Sequence, residues 1–484
     1  MVDHPRQVDV IIIGAGLSGI GAAAQLTREQ PGRTYAVLEA RGASGGTWDL
    51  FRYPGVRSDS DMFTLGYRFK PWRGEKALAD GPSILAYVRE TAREYGVNEH
   101  IVYEHRVVAA AWDSDSACWT VRAQTPGGDV ILTASVLWSC SGYYDYAAGF
   151  TPDLPGLDDY TGRVVHPQHW PEDLDLTGKR VVVVGSGATA VTLVPALAHG
   201  GAGHVTMLQR SPTYVLSIPG RDPIAARLQR WLPERASYAA IRWKNVLVAT
   251  GLFQLSRRRP GTLRRFIRKQ ALAQLPDGYD VDTHFRPRYD PWDQRLCLVP
   301  DGDLFTVISD GSASVATDTI ATFTTTGVRL TSGTELAADV VVTATGLAIM
   351  AMGGVELSID GDPVKLPETM AYQALMLSGV PNFVFTIGYI NASWTLKADL
   401  VAEYVCRLLA HLETHGYRSF VAERDPTVAE TPLIDFTSGY VLRALDLLPT
   451  QGDREPWKLR QNYLRDVRTL RRGTLDDGVL RFGR

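Results

Sequence analysis

The chain has 484 residues, of which 45% are apolar and 21% are charged. This composition is typical of a globular protein with about three domains' worth of chain, and it excludes a disordered chain, a coiled coil and a collagen. A formal net charge of −3 gives no overall attraction to nucleic acid, so no nucleic-acid partner is predicted. The four cysteines, Cys118, Cys140, Cys297 and Cys406, lie far apart, which predicts neither a metal site nor a disulfide framework and favours a cytoplasmic protein.

Two long segments, residues 10–27 and 181–208, contain no Lys, Arg, Asp or Glu. Each consists of a short run of β-branched or aliphatic residues, a glycine-rich turn, and then small residues at helical spacing. That order is typical of a buried parallel strand that leads into a helix. We therefore interpret both segments as βα units and predict no transmembrane span.

The first unit has a strand over residues 8–13 and then the pattern G-x-G-x-x-G, formed by Gly14, Gly16 and Gly19. Such glycines allow a tight turn and close approach of the backbone to a pyrophosphate, which the N-terminus of the following helix binds. A second strand, residues 35–38, ends at Glu39, at the distance expected for a carboxylate that accepts from a ribose hydroxyl. A carboxylate repels a 2′-phosphate, so this site is predicted to take FAD or NAD rather than NADP.

The second unit repeats the pattern after a strand over residues 181–184, with Gly185 and Gly187 and with alanine at the third position. Its next strand, residues 204–208, leads to Arg210 and Ser211 instead of an acid. A guanidinium and a hydroxyl at this point favour the 2′-phosphate of NADPH. The alternative is that Arg210 is a solvated charge at a strand end. Two dinucleotide sites of opposite preference indicate a flavoprotein that NADPH reduces.

The predicted fold class is α/β, with two Rossmann-like dinucleotide-binding domains and the NADP domain inserted into the FAD domain. Residues 1–145 are expected to form the first part of the FAD domain and residues 146–338 the NADP domain. An irregular segment at about 214–290 is predicted to be a mostly helical insertion in the NADP domain. A buried strand over residues 339–343 is expected to return the chain to the FAD domain, whose second part and C-terminal segment would span residues 339–484.

Two longer motifs lie around these units. Residues 160–170 read YTGRVVHPQHW, which resembles the FxGxxxHxxxW fingerprint of Baeyer-Villiger monooxygenases through Gly162, His166 and Trp170, with Tyr160 in place of Phe. Trp170 alone could be an ordinary core aromatic. The motif, by contrast, has the family's order and spacing.

The second motif begins with the glycine pair Gly45 and Gly46, followed by Thr47 and Trp48, and continues with Tyr-Pro-Gly at residues 53–55 and with Asp59. It is similar to another signature of the same family, and the likeness extends along the whole chain. The resemblance implies that Gly46, Thr47, Trp48 and Asp59 contribute to cofactor binding. Without the motif, Asp59 would be an ordinary surface carboxylate.

The resemblance implies a class B flavoprotein monooxygenase, in which NADPH reduces bound FAD and O2 then oxygenates a ketone to an ester or lactone, or a sulfur compound such as a thioether or thioamide. Such chemistry requires a site that excludes water. The family's catalytic arginine matches Arg295, and the aspartate that orients it matches Asp59. His166 is expected to act as a hydrogen-bonded hinge between the domains rather than as an acid or base.

The sequence departs from the family at two further positions. Gln294 stands where many members have lysine, which weakens the expected selectivity for NADPH over NADH. Tyr389 follows Gly388 where many members have a Gly-Pro pair, so substrate preferences need not follow those of better known members. The open alternatives are a monooxygenase specific for nitrogen or sulfur and an uncoupled NADPH oxidase.

A basic segment, residues 255–269, follows an apolar stretch over residues 246–255, and four further arginines, Arg465, Arg468, Arg471 and Arg472, lie near the C-terminus. A basic amphipathic segment can adsorb to anionic lipid. This pattern predicts weak peripheral association with the inner face of the membrane. The alternative is a solvated helix face whose apolar side packs on the NADP domain.

Overall fold

The structure is a computed structural model that describes residues 7–74, 76–294, 296–434 and 439–484. The α-helices are, in chain order, α1 Leu17–Glu29, α2 Thr47–Leu50, α3 Met62–Leu65, α4 Gly81–Glu94, α5 Ala188–His199, α6 Pro223–Trp231, α7 Glu234–Arg258, α8 Pro260–Leu272, α9 Val281–Phe285, α10 Asp303–Ser309, α11 Trp394–His415, α12 Gly439–Leu442 and α13 Tyr463–Arg472.

The strands are, in chain order, β1 Gln7–Ile13, β2 Tyr35–Leu38, β3 Ile101–Val102, β4 Arg106–Asp113, β5 Cys118–Thr125, β6 Gly128–Ser139, β7 Tyr144–Gly149, β8 Arg163–Val165, β9 Arg180–Val184, β10 His204–Gln209, β11 Tyr214–Ile218, β12 Leu296–Pro300, β13 Ala313–Thr317, β14 Ile320–Thr324, β15 Gly327–Leu330, β16 Glu335–Ala337, β17 Val340–Thr343, β18 Leu347–Ile349, β19 Glu356–Ile359, β20 Asp362–Pro363, β21 Ala371–Tyr372, β22 Met376–Leu377, β23 Phe383–Phe385, β24 Ser419–Ala422, β25 Glu430–Pro432, β26 Thr450–Gly452 and β27 Leu480–Gly483.

The larger sheet has nine strands in the order β20-β19-β4-β5-β6-β1-β2-β3, and β23 also pairs with β6. Strand β1 lies at its centre and is parallel to β2 and to β6. Side chains alternate between its two faces, so Val10 and Ile12 belong to one apolar core while Ile11 and Ile13 belong to another. Because both faces are covered there, residues 10–13 of the strand are all apolar and buried.

The second sheet has five strands in the order β13-β10-β9-β17-β8, and all of its pairs are parallel. It is also buried on both faces, since Val181 and Val183 lie in one core and Val182 and Val184 in another. Its strands fall between residues 163 and 343, whereas β19, β20 and β23 of the larger sheet come later in the chain. The predicted fold class, with one Rossmann-like unit inserted into the other, is therefore confirmed.

The expectation that the strand at residues 339–343 returns the chain to the first domain is wrong. Strand β17 pairs with β9 and β8 in the second sheet, with Val341 opposite Val182. All four of its residues are buried. Between β9 and β8, the backbone of β17 finds hydrogen-bond partners on both edges of the strand. The chain returns to the larger sheet only at β19. The antiparallel pair β7 and β18 links the two sheets.

Helices α6, α7, α8 and α9 follow strand β11 and occupy most of residues 223–285. The long helix α7 packs against α3 of the first unit and against its neighbours α6 and α8. In this way α7 spans from the second unit to the first and closes one side of the space between the sheets.

Candidate active site between the two glycine turns

The first glycine turn connects β1 to α1 at the carboxyl edge of the larger sheet. Gly14 has a φ of +97°, and a Cβ atom there would lie 2.9 Å from the Cys140 carbonyl oxygen. A Cβ atom on Gly19 would lie 1.8 Å from the carbonyl oxygen of Gly14. Only glycine permits both approaches, and they seat the N-terminus of α1 directly over the strand, where its free N–H groups form an anion site.

Glu39 lies beside this turn, at the end of β2, and only 5% of its surface is exposed. Its carboxylate accepts hydrogen bonds from the backbone N–H of Ala15 (2.8 Å) and of Arg41 (3.0 Å). Burial raises the pKa of this carboxyl group. The structure thus places Glu39 at the predicted edge of the site and fixes it to the glycine turn.

The segment with Gly46, Thr47 and Trp48 also lines the cavity and packs against the first glycine turn. A Cβ atom on Gly46 would lie 2.9 Å from the Cα atom of Gly16, so the two backbones are in contact. The hydroxyl groups of Thr47 and Tyr146 are 2.9 Å apart and hydrogen bonded. Trp48 packs against the cores of both units, which makes it a bridge between them.

The second glycine turn repeats the geometry of the first. Gly185 has a φ of +132°, and a Cβ atom there would lie 2.4 Å from the carbonyl oxygen of Ala344, just after β17. The hydroxyl of Ser186 donates to the carbonyl oxygen of Ser211 (3.2 Å). This bond holds the backbone just after β10 next to the turn, and the side chain of Arg210 in this stretch is exposed. Around Gly187 the space is open, because a Cβ atom there would meet nothing within 4 Å.

The residues of the fingerprint meet at the junction of the two sheets. His166 accepts through Nδ1 from the backbone N–H of Gln168 (3.2 Å), so Nε2 carries the proton and donates to the carbonyl oxygen of Gly346 (3.2 Å). Its ring also fills the place of a Cβ atom on Gly149, the last residue of β7. Burial lowers the pKa of His166, which favours the neutral ring.

Two other members of the fingerprint have packing contacts. A Cβ atom on Gly162 would lie 2.8 Å from the carbonyl oxygen of Asp339, so a larger residue would push β8 away from β17. Trp170 is half-buried against the core of the second unit. Neither residue lines the cavity described next.

A cavity of about 960 Å³ lies between the two units. Gly14, Gly16 and Glu39 line it on one side and Gly187 on the other, and Asp59 reaches it from the loop before α3. Its size is at the upper end for small-molecule sites. Glycines occupy the walls where a side chain would block a dinucleotide, so the residues present fit two such cofactors. Arg295 lies outside the described residues.

Sequence reasoning missed several aromatic side chains of this cavity, including Tyr143, Tyr146 and Trp394. The indole N–H of Trp394 donates to the Ser18 hydroxyl (2.7 Å), and its ring stacks on Tyr143 at 5.3 Å between centroids. These residues come from segments hundreds of positions apart, and none belongs to a motif with fixed spacing. No signal in the sequence singles them out from core aromatics.

Within the described ranges, no group of three or more His, Cys, Asp or Glu side chains is arranged to hold a metal ion. In the same part of the chain, no helix has the length and apolarity needed to cross a membrane.

The chain matches a family model described as flavin-binding monooxygenase-like over residues 78–350, and one described as an NAD(P)-binding Rossmann-like domain over residues 12–70. The first match covers more than half of the chain. The protein therefore belongs to the flavin-binding monooxygenase-like family. The predicted family likeness and the predicted enzyme class, a flavoprotein monooxygenase, are confirmed.

Among the relatives of this chain, the FAD-containing monooxygenase EthA of Mycobacterium tuberculosis (strain ATCC 25618 / H37Rv) is 55% identical over 485 residues, covering 100% of this chain and 99% of EthA. EthA of Mycolicibacterium smegmatis is 52% identical, with coverage of 100% and 98%. The probable FAD-binding monooxygenase AlmA of Acinetobacter baylyi is 48% identical, with coverage of 99% and 96%. This chain is thus similar to each of these proteins along its whole length.

Two solved structures share the fold. An oxidised steroid monooxygenase bound to NADP superposes with a TM-score of 0.77 at 24% identity, covering 99% of both chains. Cyclohexanone monooxygenase from Rhodococcus sp. Phi1 bound to NADP+ gives a TM-score of 0.71 at 21% identity, covering 87% of both chains. Because the sequence identities are below 25%, these superpositions show only that the fold, with its two Rossmann-like units, is shared.

Proposed function

We propose that this protein is an NADPH- and O2-dependent FAD monooxygenase. It inserts one oxygen atom beside a ketone carbonyl, giving esters or lactones, and it also oxygenates sulfur compounds such as thioethers and thioamides. The observation that carries the proposal is that one cavity is lined by Gly14 and Gly16 of the first glycine turn and by Gly187 of the second. The FAD-containing relatives and the NADP-bound fold neighbours support the same pair of cofactors.

FAD belongs at the first turn and NADPH at the second. Glu39 gives the first unit a carboxylate at the ribose position, whereas the exposed Arg210 gives the second a cation for the 2′-phosphate. FAD, when bound, supplies the ring that takes up hydride from NADPH and passes electrons to O2. The two turns face one cavity, so the cofactors can meet without leaving the protein.

The protein's own contribution is to bind, orient and exclude water. The aromatic wall formed by Trp48, Tyr143 and Trp394 encloses the cavity on the side of the first turn. Removal of water strengthens electrostatic interactions in the site and suppresses release of hydrogen peroxide. Asp59 lines the same cavity, on the loop that leads into α3.

Arg295 is the proposed catalytic residue, with Asp59 as the residue that orients it. Its guanidinium stabilises the negative charge that develops on oxygen during ketone oxidation. Flavin reduction by NADPH precedes that charge, so Arg295→Ala is expected to reduce FAD at nearly the wild-type rate without O2. Ester formation should fall roughly 10²- to 10³-fold, the usual cost of one preorganised donor, and hydrogen peroxide should rise.

The matched control is Arg286→Ala, which removes a charge from an exposed side chain of the same segment and should leave both steps unchanged. Products from a panel of ketones and thioethers, identified by mass spectrometry, decide between the candidate reactions. Wild-type ester formation by Arg295→Ala would remove this residue from the reaction. Sulfoxides without esters would favour a monooxygenase specific for heteroatoms, and peroxide alone an NADPH oxidase.

We also propose weak peripheral association with anionic membranes. The basic segment, residues 255–269, runs from the end of α7 into α8 and supports it, since Arg258 and Arg259 are exposed and have no ion-pair partner among the described residues. The apolar stretch before it is only partly packed: Val246 is buried, whereas Leu247 and Val248 are 55% and 62% exposed. Failure of the protein to sediment with anionic liposomes at low salt would refute the association.

A further inference from the structure

A loop of the first unit, residues 53–58, reaches into the second unit. The side chains of Tyr53 and Val56 are buried in one of the two apolar cores that cover strand β9. Gly55 has a φ of +75°, and a Cβ atom there would lie 2.9 Å from the carbonyl oxygen of Thr192 in α5. The backbone of the loop is therefore in contact with α5, and a side chain at position 55 would push the two apart.

The backbone of the same loop is hydrogen bonded to the first unit. The N–H of Ser58 donates to the carbonyl oxygen of Ala79 (3.1 Å), and the N–H of Gly81 donates to the carbonyl oxygen of Val56 (2.7 Å). Gly81 is the first residue of α4, which packs against α1 and α2. The loop is thus fixed to the first unit, although its apolar side chains lie in the second.

An ion pair joins this loop to the second unit. The Arg57 guanidinium donates to both carboxylate oxygens of Asp303, from Nη1 to Oδ2 (2.5 Å) and from Nη2 to Oδ1 (3.4 Å). The two side chains are only 14% and 21% exposed. A two-bond contact between arginine and a carboxylate fixes orientation as well as distance. The pair therefore determines how the loop and Asp303 lie relative to each other.

Asp303 has a fixed place within the second unit. It is the first residue of α10, and the backbone N–H of Leu304 donates to its Oδ1 atom (2.8 Å). Leu304 and Phe305 are 0% and 1% exposed, in the same core as Tyr53. Helix α10 packs against α5 and β12. The carboxylate is consequently held in position relative to both of these elements.

Both partners of the pair lie near the proposed catalytic residues in the chain. Arg57 and Asp59 are two residues apart, and both line the cavity. Strand β12 begins directly after Arg295, and its residues 296–298 line the cavity too. Asp59 belongs to the first unit and Arg295 to the second. Orientation of one by the other therefore requires a fixed relative position of the two units.

From this geometry we infer that Arg57 and Asp303 are positioning residues for oxygen transfer. The pair fixes the loop that leads to Asp59 relative to strand β12, and so brings the orienting and the catalytic residue together from different units. It also sets the distance between ligands at the two glycine turns, because α5 begins at the second turn and contacts the same loop. This inference rests on the proposed function.

The pair is tested with Arg57→Gln, Asp303→Asn and the double variant, each as FAD-loaded full-length protein. With the ketone that the wild type converts fastest, ester formation should fall by up to about 10²-fold, the cost of a misplacement of about 1 Å. More hydrogen peroxide should form per NADPH consumed. Because the two residues act as a unit, the double variant should be no slower than the slower single variant.

A second measurement does not depend on turnover. Addition of NADP+ to the oxidised wild type should change the absorbance spectrum of FAD, since both glycine turns line one cavity. In the variants, NADP+ should bind with the wild-type Kd, measured by calorimetry, but should change the flavin spectrum less. Arg57→Lys keeps the charge but not the two-bond contact, so its spectral change and its ester formation should lie between those of Arg57→Gln and the wild type.

The matched control is Arg122→Gln/Asp129→Asn, which removes an exposed ion pair (2.9 Å) between β5 and β6; neither residue lines the cavity. It should equal the wild type in both measurements. Wild-type ester formation and spectral change in Arg57→Gln would overturn the inference, as would independent, multiplying losses in the double variant. A weaker Kd for NADP+ in Arg57→Gln but not in Asp303→Asn would also overturn it, because Arg57 would then bind the cofactor directly.

The same experiments separate this inference from the proposed function. If the wild type forms neither ester nor sulfoxide, the proposed function is refuted, and the flavin spectrum still tests the pair. Loss of FAD or of NADP+ binding in every variant, including Arg57→Lys, would assign the pair to folding alone and overturn the positioning role. A wild-type flavin spectrum that NADP+ does not change would contradict the meeting of the cofactors on which the inference depends.

Discussion

At the scale of single residues, the glycine positions differ in what they tolerate. The missing Cβ of Gly19 would lie 1.8 Å from the carbonyl oxygen of Gly14, inside the turn that we propose as the FAD site. The missing Cβ of Gly32 would meet nothing within 4 Å, at the surface after α1. Both glycines belong to the first unit, but only at position 19 would a side chain collide with the backbone.

We therefore expect Gly19→Ala to displace α1 from β1, with an overpacking cost of about 1–3 kcal/mol in the free energy of unfolding. The purified variant should contain less FAD per chain, measured by the ratio of flavin to protein absorbance. Gly32→Ala is the control and should keep the wild-type flavin content. A fully loaded Gly19→Ala enzyme would contradict the assignment of this turn to FAD.

His166 illustrates how a residue's surroundings determine its charge. Burial lowers its pKa below the usual value, so the folded protein binds this proton less tightly than the unfolded chain does. The unfolded chain takes up the proton as the pH falls below about 6.5. The stability that the neutral ring contributes is therefore complete above that pH and is lost as the pH falls through the lower folded pKa.

The expected result is a smaller fall in melting temperature between pH 7.5 and pH 5.5 for His166→Gln than for the wild type, measured by differential scanning fluorimetry. Glutamine can still donate to the carbonyl oxygen of Gly346 but does not titrate. His199→Gln, at an exposed position, is the control and should keep the wild-type fall. An unchanged fall in His166→Gln would show that this ring does not titrate with unfolding.

At the scale of elements, a buried ion pair anchors α7. Arg242 and Asp399 are 5% and 7% exposed, and the backbone N–H of Arg68 also donates to Asp399 (2.9 Å). The nearby guanidinium and this N–H stabilise the ionised carboxylate against the cost of burial. The pair holds a helix of the insertion to the first unit, across the cavity.

Asp399→Asn leaves the Arg242 charge buried without a counter-charge, so we expect a loss of about 3–5 kcal/mol in the free energy of unfolding. Chemical denaturation measures it, and limited proteolysis should show earlier cleavage within residues 223–272. The exposed pair of Arg268 and Asp282 (2.8 Å) offers the contrast: Arg268→Gln should cost at most about 1 kcal/mol. If both variants lost a similar amount of unfolding free energy, the buried pair would not be what anchors α7.

At the scale of the whole molecule, the cavity belongs to neither Rossmann-like unit alone. Its lining includes Gly14 and Glu39 of the first unit and Gly187 of the second, with Val246 of α7 between them. A ligand at the second turn therefore touches a space that both units enclose. Its binding should stabilise the fold as a whole.

Addition of NADP+ at 100 times its Kd is expected to contribute about 2.7 kcal/mol to the stability of the folded enzyme and to raise its melting temperature. In Arg210→Ala the same NADP+ concentration should raise the melting temperature much less. The KM for NADPH should rise roughly ten- to a hundredfold, because loss of a charge-assisted phosphate contact costs about 1.5–3 kcal/mol of binding free energy. NAD+ is the control ligand, and the rise in melting temperature that it causes should be the same in Arg210→Ala as in the wild type. An unaltered preference for NADPH would remove Arg210 from the site.

Local patterns in the sequence determined the two βα units. Strand β2 has the predicted limits, and β1 and β9 each begin one residue before them, because long-range pairing extends the ends of strands beyond their apolar runs. The glycine patterns also located both turns correctly, since a turn that admits no Cβ leaves a visible trace in the sequence. Apart from the return of the chain to the first domain at residue 339, the predicted residue limits of the domains stay predictions. The roles of Arg295 and Asp59 and the hinge role of His166 stay predictions as well.

Other features are decided only by the tertiary structure. The sequence shows that residues 340–343 form a buried strand. An apolar strand fits either sheet, because both sheets are buried on both faces, so only the pairing with β9 assigns β17 to the second unit. The hydrogen bond of Trp394 to Ser18 and the Arg242–Asp399 pair join positions that are 376 and 157 residues apart, beyond the reach of any local pattern. A motif reports which groups are present near one turn of the chain, whereas the cavity depends on how two independently buried sheets face each other.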